Sequence, residues 1–389
     1  MDNFRFYSPT EFIFGRDTQK ETGKMTANYG GVKVLVVYGG QSAEKSGLVK
    51  QVTDSLDNNK ISYCILKGVQ PNPTDDRVYE GIGMALKEGV NFILAVGGGS
   101  VIDTAKAIAL GAVYDGDFWD FFCGKGTPSA ALPVGVVLTI PAAGSEASAS
   151  SVITKINGLH KRSCRTNLIR PRFAIMNPEL TMTLPWFQTA CGITDMLCHI
   201  YERYFSNTPA QLVNAYSEAI MRDIMDQALT LKLDGNNYDA RADIMWASTI
   251  AHNGLCGVGK REDWATHFLE HEVSALYNVV HGAGLACIAP AWLKFVAKRN
   301  PDMVWRFAVN VMSVDPSGLD TEHIIEEGIN LLKDFYHDLG LTTSLTELVG
   351  KEPDIDALVE SLHKNLGDMI GSYVPLSIDD CREIYQLAL

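Results

Sequence analysis

The stretch Asn91–Ala112, NFILAVGGGSVIDTAKAIALGA, decides how this chain folds. Its apolar run Phe92–Val96 reads as a buried strand, and a helix-forming segment follows the glycines with Ser100 and Asp103 in its first turn. Lacking Cβ atoms, Gly97, Gly98 and Gly99 let backbone N–H groups approach an anion, and the helix dipole favours its negative charge. A tight turn needs only one glycine, so three point to a bound diphosphate, although the pattern is not GxGxxG.

Outward from this stretch the same alternation repeats. KVLVVY (33–38) and SYCIL (62–66) read as strands, Leu48–Leu56 as an amphipathic helix, and residues 75–88 as another helix. The prolines of GVQPNPT forbid a regular element there. Strand and helix in alternation predict a parallel sheet covered on both faces. Phe4–Gly15 alternates around Pro9 and predicts two short strands, with a second subunit as the expected partner. Leu138–Thr154, LTIPAAGSEASASSVIT, begins as a strand and breaks into small hydroxyl residues. Thr139, Ser145 and Ser148 among them are candidate hydrogen-bonding groups for a nucleotide.

From about Pro185 the periodicity becomes helical, and Pro301, Pro316, Pro353 and Pro375 fit breaks between successive helices. The expectation is an α/β N-terminal dinucleotide-binding domain with a parallel sheet (1–184) and an all-α C-terminal domain (185–389). The second domain carries the other chemical signal. Asp195 and His199 in GITDMLCH share one helical face, as do His267 and His271 in WATHFLEHEVSA, and His281 opens a further helix. One carboxylate and several neutral imidazoles form a ligand set for Fe(II), Zn, Co or Mn. Spacing alone does not choose between His267 and His271, which face the same way.

At 389 residues the chain is long enough for two domains, and 46% hydrophobic with 20% charged residues supports sizeable cores. A net charge of −13 argues against nucleic acid and anionic membranes as partners and fits a small neutral substrate. Eight cysteines without CxxC pairs read as buried thiols of a reducing compartment. No signal peptide and no membrane-spanning run is expected, so the cytoplasm is the expected location. After Tyr38 the chain runs Gly39, Gly40, Gln41, Ser42, with no acid before Glu44 and with Lys45 beside it. A carboxylate that would bond a ribose 2′-hydroxyl is missing, so NADP(H) is the expected cofactor and NAD(H) the alternative.

Together, VVYGG, PNPT, GGGSVIDTAKAIA, TIPAAGSEAS, GITDMLCHIYE, DWATHFLEHEVSA and HGAGLA resemble the iron-containing (group III) alcohol dehydrogenases, within them the butanol dehydrogenase and NADPH-dependent aldehyde reductase branch. The resemblance covers nearly the whole chain. It implies a metal in the cleft between the two domains, a short-chain alcohol or aldehyde as substrate, broad specificity and a homodimer. It places the metal ligands on Asp195, His199, His267 and His281, with Fe(II) expected and Zn(II) or Co(II) as alternatives. His271 matches the family's non-ligand histidine, read either as proton donor or as packing against the nicotinamide. Gly39, Gly40 and Ser42 match the ribose-phosphate positions, Gly97 to Ser100 the diphosphate positions. Asn72, Asp103, Thr139, Ser145 and Lys161 match further cofactor contacts. Ser148 and Leu180 depart from larger residues in some relatives, which bears on pocket size. A dehydroquinate-synthase-type lyase is the rival reading. Its polyanionic substrate needs basic residues around the metal, where this chain has mainly apolar ones.

Overall fold

A computed structural model describes residues 1–158 and 160–389 and divides them into two compact units. One unit is Tyr7–Leu184; the other is Pro185–Leu389 together with Met1–Phe6. The expected first domain therefore differs in its first six residues. Asp2 N–H donates to Gly259 O, which ties the N-terminal segment to the helical unit.

In the first unit β1 (Glu11–Phe14), β2 (Lys33–Tyr38), β3 (Ser62–Leu66), β4 (Phe92–Gly97), β5 (Val134–Leu138) and β8 (Phe173–Met176) form one sheet. The order is β1-β8-β5-β4-β2-β3 and every pairing is parallel. The central strands β4, β5 and β8 are buried along their whole length, as strands covered on both faces must be. Val34, Val36, Phe92, Leu94, Val96, Phe173 and Ile175 pack against Leu48, Val52 and Leu56 of the Leu48–Asn58 helix. Asp75–Glu88 forms the next helix, ended by Gly89 in the left-handed region at φ 66°.

Three expectations need correction. Phe4–Gly15 supplies one strand rather than two, and β1 finds its partner in β8 of the same chain. The pairing lies about 160 residues away in sequence, beyond the reach of local pattern. Leu138 ends a strand instead of starting one. The segment after it forms a hairpin of β6 (Ser150–Lys155) and β7 (His160–Arg165), which its serine-rich composition concealed.

The second unit is built from helices around Trp186–Tyr204, which is buried from Thr189 to its end. A helix apolar all round belongs in a core. Ile193, Met196, Leu197, Ile200 and Tyr201 pack with Leu269 and Val273 of Ala265–Tyr277 and with Leu285 and Ile288 of His281–Ala297. Six of the eight cysteines are buried as expected, whereas Cys64 and Cys123 are half-buried; all eight are free thiols. Among the described residues no helix is long and apolar enough to cross a membrane.

Candidate metal centre and nucleotide site

Each unit carries its own site. In the helical unit Asp195, His199 and Glu202 stand at i, i+4 and i+7 of one helix and so share a face. His267 comes from Ala265–Tyr277 and His281 from the first residue of the helix it opens. Two glycines let that last helix close in. A Cβ on Gly282 would lie 2.1 Å from Cys191 O, and one on Gly284 would lie 2.6 Å from Glu270 Oε1.

The three imidazoles converge on one oxygen. Asp195 Oδ1 lies 3.3 Å from His199 Nε2, 3.5 Å from His267 Nε2 and 3.7 Å from His281 Nε2. Donors about 2.0–2.2 Å from one ion in a tetrahedron stand about 3.3–3.6 Å from each other. Asp195 Oδ1 and His267 Nε2 are buried and make no hydrogen bond to any described residue. Buried polar atoms without partners are costly, and a divalent ion coordinated by all four would satisfy them.

Asp195, His267 and His281 bring ligand atoms within 4.8 Å of one another, and His199 joins them through Asp195 Oδ1; His199–Glu202–His267 and Glu270–His271–His281 are two further groupings. Glu270 is engaged at both oxygens and Glu202 at Oε1, while Glu202 Oε2 and His267 Nδ1 are buried without a hydrogen-bond partner among the described residues. Glu202 Oε1 accepts from Thr266 Oγ1 (2.6 Å) and His267 N–H (3.0 Å), and lies 2.7 Å from His267 Nδ1. Glu270 accepts from Ser274 Oγ and pairs with His281 Nδ1. Each therefore backs a histidine from behind, while Asp195 faces the front of all three.

Electrostatics separates the rings. Burial, and then His252, His267 and Arg203, push His199 well below the ordinary histidine range. Burial also opposes a charged His267, but Glu202 and Asp195 outweigh it and hold that ring up at about 9. His271 borders the set without being one of the three rings on Asp195 Oδ1; its ring centroid is 6.1 Å from that of His267 and 5.5 Å from that of His281.

In the α/β unit the chain leaves β2 for β3 on one side and returns to β4 on the other. That reversal makes a topological switch point at the C-terminal ends of β2 and β4, the position at which nucleotides bind in sheets of this kind. Tyr38 pairs with Val96 and Gly97 with Leu138, so Gly39, Gly40, Gly98 and Thr139 all follow strands ending at that edge. Thr139 N–H donates to Gly97 O. Packing explains some of these glycines: a Cβ on Gly97 would meet Val101, and one on Gly98 would meet Ile140. Gly40 has open space around it and Gly99 has only Ala143 at 3.8 Å, so these two leave backbone accessible to a ligand.

The structure brings other expected contacts together. Asn72, left-handed at φ 53°, accepts from Lys161 Nζ at 3.3 Å across 89 residues of sequence. Ser42 opens a four-residue helix beside Glu44. Asp103, Ser145 and Ser148 form an internal network around Lys106, a residue that composition did not single out. The Lys106 ammonium, fully buried in the helix Gly99–Gly111, shares its three N–H groups among Ser145 O, Ser148 O, Ser150 O and the hydroxyls of Ser145 and Ser148, all within hydrogen-bond distance. Ser148 is thereby buried, and Leu180 packs against the sheet core.

A parallel-sheet unit with glycine loops at its switch point and a helical unit with one carboxylate among three imidazoles are the parts of a nucleotide- and metal-binding class of enzyme. Comparison with known proteins makes this specific. The iron-containing alcohol dehydrogenase profile matches residues 9–178, and the C-terminal profile of the Fe-containing alcohol dehydrogenase family matches residues 189–389. The chain belongs to the iron-containing alcohol dehydrogenase family. It is 38% identical over 392 residues to a probable NADH-dependent butanol dehydrogenase 1 of Bacillus subtilis (strain 168), covering 100% of each. It is 32% identical over 392 residues to the NADPH-dependent aldehyde reductase YqhD of Escherichia coli (strain K12), again covering 100% of each. The crystal structure of an NADH-dependent butanol dehydrogenase A from Thermotoga maritima superposes with a TM-score of 0.96 at 40% identity, over 100% of this chain and 99% of that one.

Proposed function

We propose that this protein is a metal-dependent alcohol dehydrogenase and aldehyde reductase that moves hydride between NADP(H) and short-chain aliphatic alcohols or aldehydes. The observation that carries this reading is the convergence of three Nε2 atoms on Asp195 Oδ1, within a family of alcohol dehydrogenases. Asp195, His199, His267 and His281 would hold the ion, and a divalent cation bound there supplies a Lewis acid for a carbonyl oxygen. One carboxylate among three neutral imidazoles leaves the site a net positive charge, which suits a developing alkoxide. Gly40 and Gly99, with Ser42, Ser100, Asn72 and Lys161, would fix the dinucleotide and so supply the orientation on which transfer depends. His271, half-buried and outside the ligand set, is the candidate proton donor or relay, with packing against the nicotinamide as its other role.

The NADP reading rests on the end of β2. Gly39, Gly40 and Ser42 bear no charge, and Glu44 is turned to accept from the Tyr38 hydroxyl at 2.5 Å. The names of relatives divide between NADH and NADPH, so the test must compare both coenzymes. A homodimer in the cytoplasm completes the proposal. Absorbance at the reduced-nicotinamide band is followed with butanal on chelator-stripped protein and after adding Fe(II), Zn(II) or Co(II). Metal-dependent consumption, faster with NADPH, is expected. Turnover that ignores added metal would remove the metal-dependent reductase, and faster NADH consumption would remove the NADP preference alone.

A further inference from the structure

The proposed ligands present Nε2 to the ion, so each ring must keep its proton on Nδ1. Glu202 Oε1 stands 2.7 Å behind His267 Nδ1, and Glu270 pairs with His281 Nδ1. Among the described residues, the group in that place behind His199 is another imidazole. His199 Nδ1 lies 3.0 Å from Nδ1 of His252, the last residue of the helix Tyr238–His252. The two rings cross at 70° with centroids 4.2 Å apart.

Two ring nitrogens at hydrogen-bond distance share one proton, and either ring could carry it. Arg203 decides which. Its guanidinium cannot lose its charge and has only donors, and Nη2 lies 3.3 Å from the same His252 Nδ1. Arg203 is itself fixed, with Nη1 donating to His199 O at 2.5 Å, Nε 3.3 Å from Glu262 Oε1, and its guanidinium over the Trp264 ring. A nitrogen facing an arginine donor must be an acceptor. His252 Nδ1 is therefore bare, the proton sits on His199 Nδ1, and the lone pair of His199 falls on Nε2.

We propose that His252, held as an acceptor by Arg203, is a positioning residue that locks His199 into the Nδ1–H tautomer and so aims its Nε2 lone pair at the metal. The inference rests on the metal reading above and adds to it a device outside the ligand set. The pattern Asp195–His199–Glu202 is legible on one helix, but His252 is 53 residues from His199 and no spacing announces it.

Metal affinity tests the proposal without turnover. Full-length protein is stripped, and Zn(II) and Co(II) dissociation constants are measured by competition with a chromophoric chelator. His252→Phe keeps the ring and removes the acceptor; His252→Asn restores an acceptor oxygen. The phenylalanine variant is expected to bind about 10- to 100-fold more weakly, as loss of an outer partner of a ligand does, with the asparagine variant recovering to within about threefold of wild type. Equal affinity in wild type and His252→Phe overturns the proposal while leaving the metal site standing. Failure of wild type to bind more tightly than Asp195→Ala removes the metal site and the proposal with it. A second measurement needs no His252 variant. Histidine-selective ¹⁵N NMR of the metal-free wild type, with His199 assigned by His199→Gln, should show an Nδ1–H tautomer. An Nε2–H signal there overturns the relay even if His252→Phe does not fold.

Discussion

Oδ1 of Asp195 stands 3.5 Å from Nε2 of His267, both atoms buried and too far apart for a well-formed hydrogen bond. An ion between them explains both the spacing and the lack of partners. Replacing Asp195 by Asn removes the only carboxylate among the four ligands, and His267→Ala removes one of the three imidazole donors. Both variants should purify without stoichiometric metal and lose turnover by at least about a hundredfold, on the scale of losing a metal ligand or its partner. His271→Ala should keep its metal, because the three rings gathered on Asp195 Oδ1 are those of His199, His267 and His281. Elemental analysis of the three purified proteins checks this. Stoichiometric metal in His267→Ala would overturn the ligand assignment.

A second prediction concerns the buried Lys106. Burial pushes its ammonium down to about 8, against the pull of Asp103 and Glu146. Between about 8 and 10.5 the unfolded chain holds a proton that the folded chain lacks, so this group makes stability rise with pH in that window, by at most about 1.4 kcal/mol per unit. Lys106→Met removes that rise and strands buried carbonyls of Ser145, Ser148 and Ser150, each at about 1–3 kcal/mol where no water replaces the bond. Urea unfolding of both proteins at pH 7 and pH 9.5 should show the wild type ahead, with its lead larger at the higher pH. A lead that shrinks on raising the pH would contradict the burial argument.

The parts of the fold legible in the sequence are those set by local period. Lys33–Tyr38, Leu48–Asn58, Ser62–Leu66, Asp75–Glu88 and Phe92–Gly97 each announce themselves by alternation, an apolar run or amphipathicity. The pairing of β1 with β8 did not, because strand order is settled by packing between distant segments. The same division runs through the sites. Asp195 and His199, or His267 and His271, share helical faces and are seen at once. Glu202 and Glu270 lay within those same motifs at helical spacing, and only the hidden direction of each Nδ1 kept them from notice. Lys106 and His252 act across 39 to 53 residues of sequence, where no local rule reaches.

Coenzyme choice gives a third prediction. Burial, then Glu44, push the Tyr38 phenol up to about 12, so Tyr38 remains a donor at working pH and keeps the Glu44 carboxylate at the end of β2. Lys67 Nζ lies 3.9 Å from the same carboxylate, but both side chains are well exposed and the pair is screened. Held there, this charge works against the 2′-phosphate that the uncharged Gly39, Gly40 and Ser42 otherwise admit, and so weakens the NADP preference without reversing it. Glu44→Gln keeps the bond from Tyr38 and removes the charge. A change of about 1 kcal/mol is the scale for an exposed pair, so kcat/KM for NADPH relative to NADH should rise about fivefold, mostly through KM. An unchanged ratio would place coenzyme selection elsewhere on the loop.

The glycines of HGAGLA give the last prediction, because the two fail differently. A methyl group on Gly282 would sit 2.1 Å from Cys191 O and 2.7 Å from its Cα, on the backbone of the helix that carries Asp195. Backbone inside a helix cannot step aside, so Gly282→Ala must push the two helices apart and draw His281 away from Asp195. The three atoms nearest a methyl group on Gly284 all belong to the Glu270 side chain, with Oε1 at 2.6 Å and Cγ at 2.8 Å. That carboxylate can rotate, but rotating it breaks its bonds to Ser274 and His281. Overpacking costs about 1–3 kcal/mol in a core that can relax and more in one that cannot. Gly284→Ala should therefore fold with a loss in that range and bind metal about tenfold more weakly, through the freed His281. Gly282→Ala should lose more stability than that, with metal retention lost alongside it. Thermal unfolding of the metal-free proteins separates packing from coordination, and chelator competition reads the affinity. If Gly282→Ala proves the milder of the two, helix approach is not what brings His281 to the site; if Gly284→Ala binds metal as wild type does, Glu270 is not what holds it there.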